Sequence, residues 1–168
     1  HDPSKSVVAK RTKRKEGFLF KTLYGLHKYL ALLTTGKLIN FGNFTCLTKP
    51  DLKTLSVKSS LWSSYSGTFK KNIKKYNEVN SERGMRYFGQ TQMSFFNLII
   101  HSLSIIAVFK YRVFFMSLIL LASSHYLGFF IKFNFLLFQM LIVLFNILIF
   151  ILSFRESETE LEISKFDI

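Results

Sequence analysis

The run from Val113 to Phe154 holds 42 residues and a single formal charge, Lys132. One helix of that length would reach about 63 Å, twice the roughly 30 Å hydrocarbon core of a bilayer. No apolar environment is that deep. The run therefore predicts a helical hairpin folded at Ile131-Lys132-Phe133-Asn134, with spans over about 113–131 and 133–154. Ahead of it, Met93 to Phe109 adds 17 uncharged residues closed by Lys110-Tyr111-Arg112. Three transmembrane helices, about 93–109, 113–131 and 133–154, are the expectation. Three buried helices of a soluble protein would need a shell of amphipathic helices to cover them, and residues 1–92 offer one clear candidate. A cleaved signal peptide is not expected, because the apolar runs lie in the second half of the sequence.

The charge is divided the same way. Residues 1–92 carry 18 Lys and Arg against 5 Asp and Glu, and residues 93–168 carry five of each, so the whole net charge of +13 lies in the first half. The 20 Phe exclude a disordered basic tail, and the single Cys excludes an intrachain disulfide framework. Lys and Arg stay on the side from which insertion starts, which places the N-terminal region in the cytoplasm or matrix. Three crossings then put the acidic tail, residues 155–168, on the opposite side. The same topology leaves Lys110 and Arg112 on the outer side, against the rule.

Within the basic half, residues 1–16 read as a solvated tail bearing Lys5, Lys10, Arg11, Lys13, Arg14 and Lys15. Residues 17–92 read as an extramembrane or interfacial region. From Phe18 to Thr35, Leu19, Leu23, Leu26, Leu30 and Leu33 step by 4, 3, 4 and 3, an amphipathic helix that Gly36 is placed to stop. Such a helix packs on a partner or lies in the membrane interface. Residues 37–69 show no sustained period and are expected to be irregular, unable to build their own core and ordered by a neighbour. Lys70, Lys71, Lys74 and Lys75, followed by Arg83 and Arg86, form a juxtamembrane cluster suited to anionic headgroups such as cardiolipin, with an orientation signal alone as the plainer reading.

Every span carries a polar face. Ser94, Asn97, His101 and Ser104 share one seam, Ser117, Ser124 and Gly128 another, and Gln139, Asn146 and Ser153 recur at seven-residue intervals. Amides and imidazoles are costly in hydrocarbon, so Asn97, His101, Ser104, Ser124, Gly128, Gln139, Asn146 and Ser153 are expected to face other helices. Asp, Glu, Lys and Arg are missing from the span interiors, which argues against a proton channel, a voltage sensor or an ion-coupled transporter. His101 and His125 fall at comparable depth in their predicted spans, the arrangement that paired ligation of a haem b iron requires. The sequence holds no Gly-rich phosphate loop, no zinc spacing and no nucleophile elbow, so catalysis by this chain alone is not expected. It also lacks an RNA-binding signature, which leaves a membrane tether for ribosomes or RNA as a weaker reading and nucleic acid as a disfavoured partner.

The sequence is heavy in Phe, Leu, Ile, Lys, Asn, Ser and Tyr and poor in Pro, Gly and Ala. In composition it resembles mitochondrial respiratory-chain membrane subunits from AT-rich genomes. The basic head, three spans and intramembrane His101 and His125 are similar in layout to the membrane anchors of succinate dehydrogenase. That resemblance implies haem b or quinone at those two histidines, no catalysis by the chain on its own, and other subunits of a hetero-oligomeric complex as partners. The expectation is an all-α membrane protein: a structural or assembly subunit of a respiratory-chain or ATP synthase complex, in the mitochondrial inner membrane, N-terminus in the matrix and C-terminus in the intermembrane space.

Overall fold

Lys132 has φ of 53°, and this left-handed residue turns the long apolar run back on itself. The computed structural model describes residues 2–13, 18–82 and 94–166. On either side of the turn stand two helices long and apolar enough to cross a membrane. One is α5, Lys110–Ile131 (22 residues), and the other α6, Leu136–Ser153 (18 residues). At 1.5 Å per residue they reach about 33 and 27 Å. The turn is tight: a Cβ on Gly128 would stand 2.9 Å from the Phe133 carbonyl oxygen, so only glycine fits there. Asn134 Oδ1 then accepts from the Leu136 amide at 2.8 Å and closes the start of α6.

The first apolar run gives a shorter element than three spans require. Helix α4, Phe95–Ala107, has 13 residues, because Ser94 caps it, accepting from the Asn97 amide at 3.2 Å, and the chain turns at Val108-Phe109. About 20 Å of helix falls short of a bilayer core. Its buried residues gather at its C-terminal end, from Ser104 to Ala107, while Phe95, Phe96 and Ile99 are exposed.

The basic half is not the solvated tail and irregular stretch expected from its sequence. Strand β1, Val7–Lys13, is the centre of a three-stranded sheet of order β2-β1-β3, with β2 at Phe41–Cys46 and β3 at Asn77–Glu82. β1 pairs antiparallel with β2 (Val8 opposite Thr45) and parallel with β3 (Val8 opposite Glu78). Between the strands lie α1 (Phe18–Thr35), α2 (Lys49–Ser56), a 3-10 turn (Ser59–Leu61) and α3 (Tyr65–Asn72). The fold is therefore mostly helical with a small sheet, not all-α. Local signals place the short helices. Thr48 accepts from the Asp51 amide ahead of Pro50, and Ser64 accepts from the Gly67 amide. Gly36, at φ +63°, donates to Leu32 O at 2.8 Å and ends α1.

This head builds its own core, contrary to the expectation that it could not. Val8, Phe41, Leu55, Phe69 and Ile73 are buried together, flanked by Leu47, Tyr65 and Tyr76. Phe69 meets Phe41 and Tyr76 edge to face, both at 5.3 Å between ring centroids. Ser6 ties the start of β1 to α2, donating to Asp51 Oδ2 and accepting from the Thr48 amide. Of the leucine stripe on α1, the side chains of Leu19, Leu23 and Leu26 lie outside the described residues. Leu30 packs beside the buried Ala31, and Leu33 is exposed.

Head and hairpin meet at one end. Ala31 of α1, Ile106 and Ala107 of α4, Val113 of α5 and Ile149 of α6 form one cluster, and Ile39 joins Ile105, Val108 and Phe109 in another. The acidic tail follows α6 there and forms α7, Glu158–Phe166. Head, α4–α5 turn and tail thus share the end of the hairpin opposite Lys132.

Candidate functional site

Three places hold the residues that carry chemistry: the hairpin seam, the junction under the head, and a basic cavity in the head. In the seam, the buried positions of α5 are Val113, Ser117 and Ser124, and those of α6 are Ile142, Asn146, Ile149 and Ser153. Gln139 Nε2 donates across to Ser124 Oγ at 3.2 Å, and Gly128 sits against the turn. Asn146 Nδ2 donates to Ile142 O at 2.8 Å, while its Oδ1 is buried with no hydrogen-bond partner. An unmatched buried acceptor costs about 1–3 kcal/mol, so Asn146 is a specific rather than a stabilising feature. The opposite faces are bare: 11% of the apolar window of α5 and 17% of that beginning at Leu136 are buried.

Of the seam expected on the first run, Ser104 is buried and Asn97 and His101 are exposed. His125, on α5, is exposed as well. The two histidines are not at one depth. Counted from the turn that joins their helices, His101 lies 8 residues before Phe109 and His125 lies 15 after Lys110. That difference of seven residues is about 10 Å at helical rise. No cluster of three or more metal-ligating side chains occurs among the described residues.

At the junction one carboxylate stands among four cations. Lys110 Nζ contacts Glu156 Oε2 at 2.7 Å, with side chains 24% and 11% exposed, and Arg155 donates to Ser104 Oγ at 3.4 Å. The Arg112 guanidinium lies directly against Gly36. Lys71 donates to Val108 O at 2.6 Å, meeting the carbonyl end of α4 where the helix dipole is negative. Partial burial lowers the Lys71 pKa, opposed by the nearby Glu156 charge. Gly67 lets α3 approach closely, since its Cβ would stand 3.1 Å from Ile105 O.

The lysine run therefore splits. Lys71 turns to the junction, whereas Lys70, Lys74 and Lys75 line an open cavity of about 640 Å³ together with Lys5, Lys37, Tyr76 and Glu78. Lys70 bonds the Tyr76 hydroxyl and sits 4.8 Å from that ring's centroid. Lys5 pairs with Asp2 at 2.8 Å, and Glu78 is taken by Lys10 at 2.9 Å. Hydrogen bonds from Lys5 and Ser4 hold the exposed Asp2 carboxyl well below the usual carboxylate range. The ammonium groups of Lys37, Lys74 and Lys75 have no ion pair or hydrogen bond among the described residues. Lys5 and Lys37 have no local sequence signal linking them to the run; Lys5 lies just ahead of β1 and Lys37 just after α1, and the fold brings both there. Arg83 and Arg86 lie outside the described residues. No family model matches this chain, and neither a curated protein nor a solved structure matches it.

Proposed function

We propose that the protein is a non-catalytic, membrane-embedded structural or assembly subunit of a large energy-transducing complex, of respiratory-chain or ATP synthase type, in the inner mitochondrial membrane. The observation that carries this reading is the bare outer surface of the hairpin. Phe114, Phe115, Leu118, Phe129, Leu137, Leu141, Leu144 and Phe150 all point outward and exposed. A two-helix hairpin with that surface is solvated by lipid and by the helices of neighbouring subunits. Beyond Lys110 and Arg112 in its first turn α5 carries no Asp, Glu, Lys or Arg, and α6 carries none, a lining suited to anchoring and docking rather than to carrying ions. The mitochondrial setting rests on the resemblance in composition and layout.

On this reading α5 and α6 cross the membrane, and α4 lies beside them without crossing. Two crossings return the chain to its starting side, so the acidic tail shares the matrix side with the basic head, in place of the intermembrane space expected from three. Cysteine labelling in sealed, oriented vesicles tests this. The native Cys46, exposed in the head, and Thr159→Cys are expected to react from one side, and Asn134→Cys from the other. Labelling of Thr159→Cys from the side of Asn134→Cys overturns the two-crossing reading. Alkaline carbonate is expected to leave the protein in the membrane pellet. Blue native electrophoresis with mass spectrometry is expected to place it in a large assembly, and migration as a free monomer overturns the subunit reading.

A further inference from the structure

We propose that the lysine-lined cavity of the head binds the headgroup of a two-phosphate anionic phospholipid, cardiolipin in chemistry, drawn from the leaflet beside the head. Charge is the first argument. Lys5, Lys37, Lys70, Lys74 and Lys75 face the cavity against the single carboxylate of Glu78, which Lys10 already neutralises. Three of those ammoniums, on Lys37, Lys74 and Lys75, have no partner of their own among the described residues. Like charges held together without counter-charge repel one another, and a diphosphate relieves that repulsion better than a single phosphate. At about 640 Å³ the cavity has the size of a small-molecule site and is larger than one phosphate needs.

Position is the second argument. Lys37 follows Gly36, which is pressed against Arg112 on the first turn of α5. Lys70 precedes Lys71, whose ammonium reaches the end of α4. The cavity therefore opens where the apolar helices begin, at the level of lipid headgroups rather than out in water. Leu32, Leu33 and Leu38 are exposed on either side of Lys37 and offer acyl chains an apolar path toward the hairpin. An RNA strand would gain the charge contacts and nothing from those leucines.

The proposal rests on the hairpin being in a membrane, not on membership of a complex. The test uses the full-length protein in neutral detergent and native mass spectrometry with cardiolipin, phosphatidylglycerol and phosphatidylcholine. Cardiolipin is expected to be retained at least tenfold better than phosphatidylcholine. The triple variant Lys37→Gln/Lys74→Gln/Lys75→Gln is expected to lose that preference, while Lys49→Gln/Lys53→Gln on α2 keeps it. The three ammonium groups removed make no hydrogen bond or ion pair among the described residues, so the variant's unfolding curve without lipid should match wild type and exclude misfolding. Equal cardiolipin retention by the triple variant overturns the proposal. Displacement of cardiolipin by equimolar inorganic pyrophosphate makes the ligand a soluble diphosphate, and displacement by a short single-stranded RNA makes it nucleic acid; either result also overturns it. A free monomer on blue native electrophoresis with the lipid preference intact would sink the subunit reading alone.

Discussion

Phe69→Ala is the substitution that most directly asks whether the head stands on its own core. The Phe69 ring is fully buried, wedged edge-on between Phe41 and Tyr76, with Tyr65 at 6.3 Å. Its removal deletes the buried ring and leaves a cavity that three other aromatic rings cannot easily fill, a loss of about 3–5 kcal/mol. A domain of this size has a stability of roughly 5 kcal/mol and a urea dependence of about 1 kcal/mol per molar. The variant's midpoint should therefore fall by about 3 M or more, close to the limit of folding. Phe69→Leu, which keeps most of the volume, should lose about 1 M.

The assay is built into the chain. Trp62 is the sole tryptophan and sits in the turn just before α3, the helix that carries Phe69. Its fluorescence in neutral detergent follows the head while the detergent protects α5 and α6. A shift under about 0.5 M for Phe69→Ala, or a transition without cooperativity, would refute the reasoning. The head would then owe its order to neighbouring proteins, as its sequence alone led us to expect.

Three further outcomes follow from the junction and the turn. Lys71→Met removes the donor to Val108 O and should cost roughly 1 kcal/mol at neutral pH. Because the folded pKa of Lys71 lies below the ordinary lysine value of 10.5, the unfolded state holds the proton over the window between the two. Wild-type stability should therefore rise relative to Lys71→Met as pH climbs toward 10.5, widening the gap between them, and paired urea titrations at pH 8 and 10 that show a constant or shrinking gap would contradict the burial argument. Glu156→Gln leaves Lys110 partly buried without its counter-charge, at a cost of about 2 kcal/mol. Limited proteolysis at the start of the tail should then run about 30-fold faster, and an unchanged rate would mean that the pair holds nothing. Gly128→Ala drives a Cβ into the Phe133 carbonyl and should lower hairpin stability by about 1–3 kcal/mol, read by thermal circular dichroism in detergent. An unchanged melt would show that the turn has room.

The two long helices were legible because their signal is length against a physical thickness. Forty-two apolar residues cannot lie in one 30 Å slab, and the only interruption, Lys132 beside Asn134, marks the turn. The limit of α4 was not legible in the same way. Ser94 inside an apolar run has the same composition whether it caps a helix or lies within one, and its backbone geometry decides that it caps. The head was missed for a different reason. Its helices α2 and α3 have eight residues each and its outer strands six, below the window in which periodicity is distinct. Its central pairing sets Val8 against Glu78, which no local pattern reports. In the cavity, Lys70, Lys74 and Lys75 could be read from a run, whereas Lys5 and Lys37 join them only through the fold.

The junction also bears on a difficulty in the charge pattern. Under three crossings, Lys110 and Arg112 would sit across the membrane from the basic head, against the tendency of cations to stay on the side of insertion. In the structure those residues lie under the head: Arg112 meets Gly36, and Lys110 meets Glu156 at the end of α6. With α5 and α6 as the crossing pair, Lys110, Arg112 and Arg155 all flank the hairpin on the head side, and Lys132 alone flanks it on the other. The charge conflict then disappears without further assumption. Among the described residues Glu156 is the carboxylate placed to offset that cation cluster from within: its Oε2 meets Lys110 at 2.7 Å, while its buried Oε1 has no hydrogen-bond partner there.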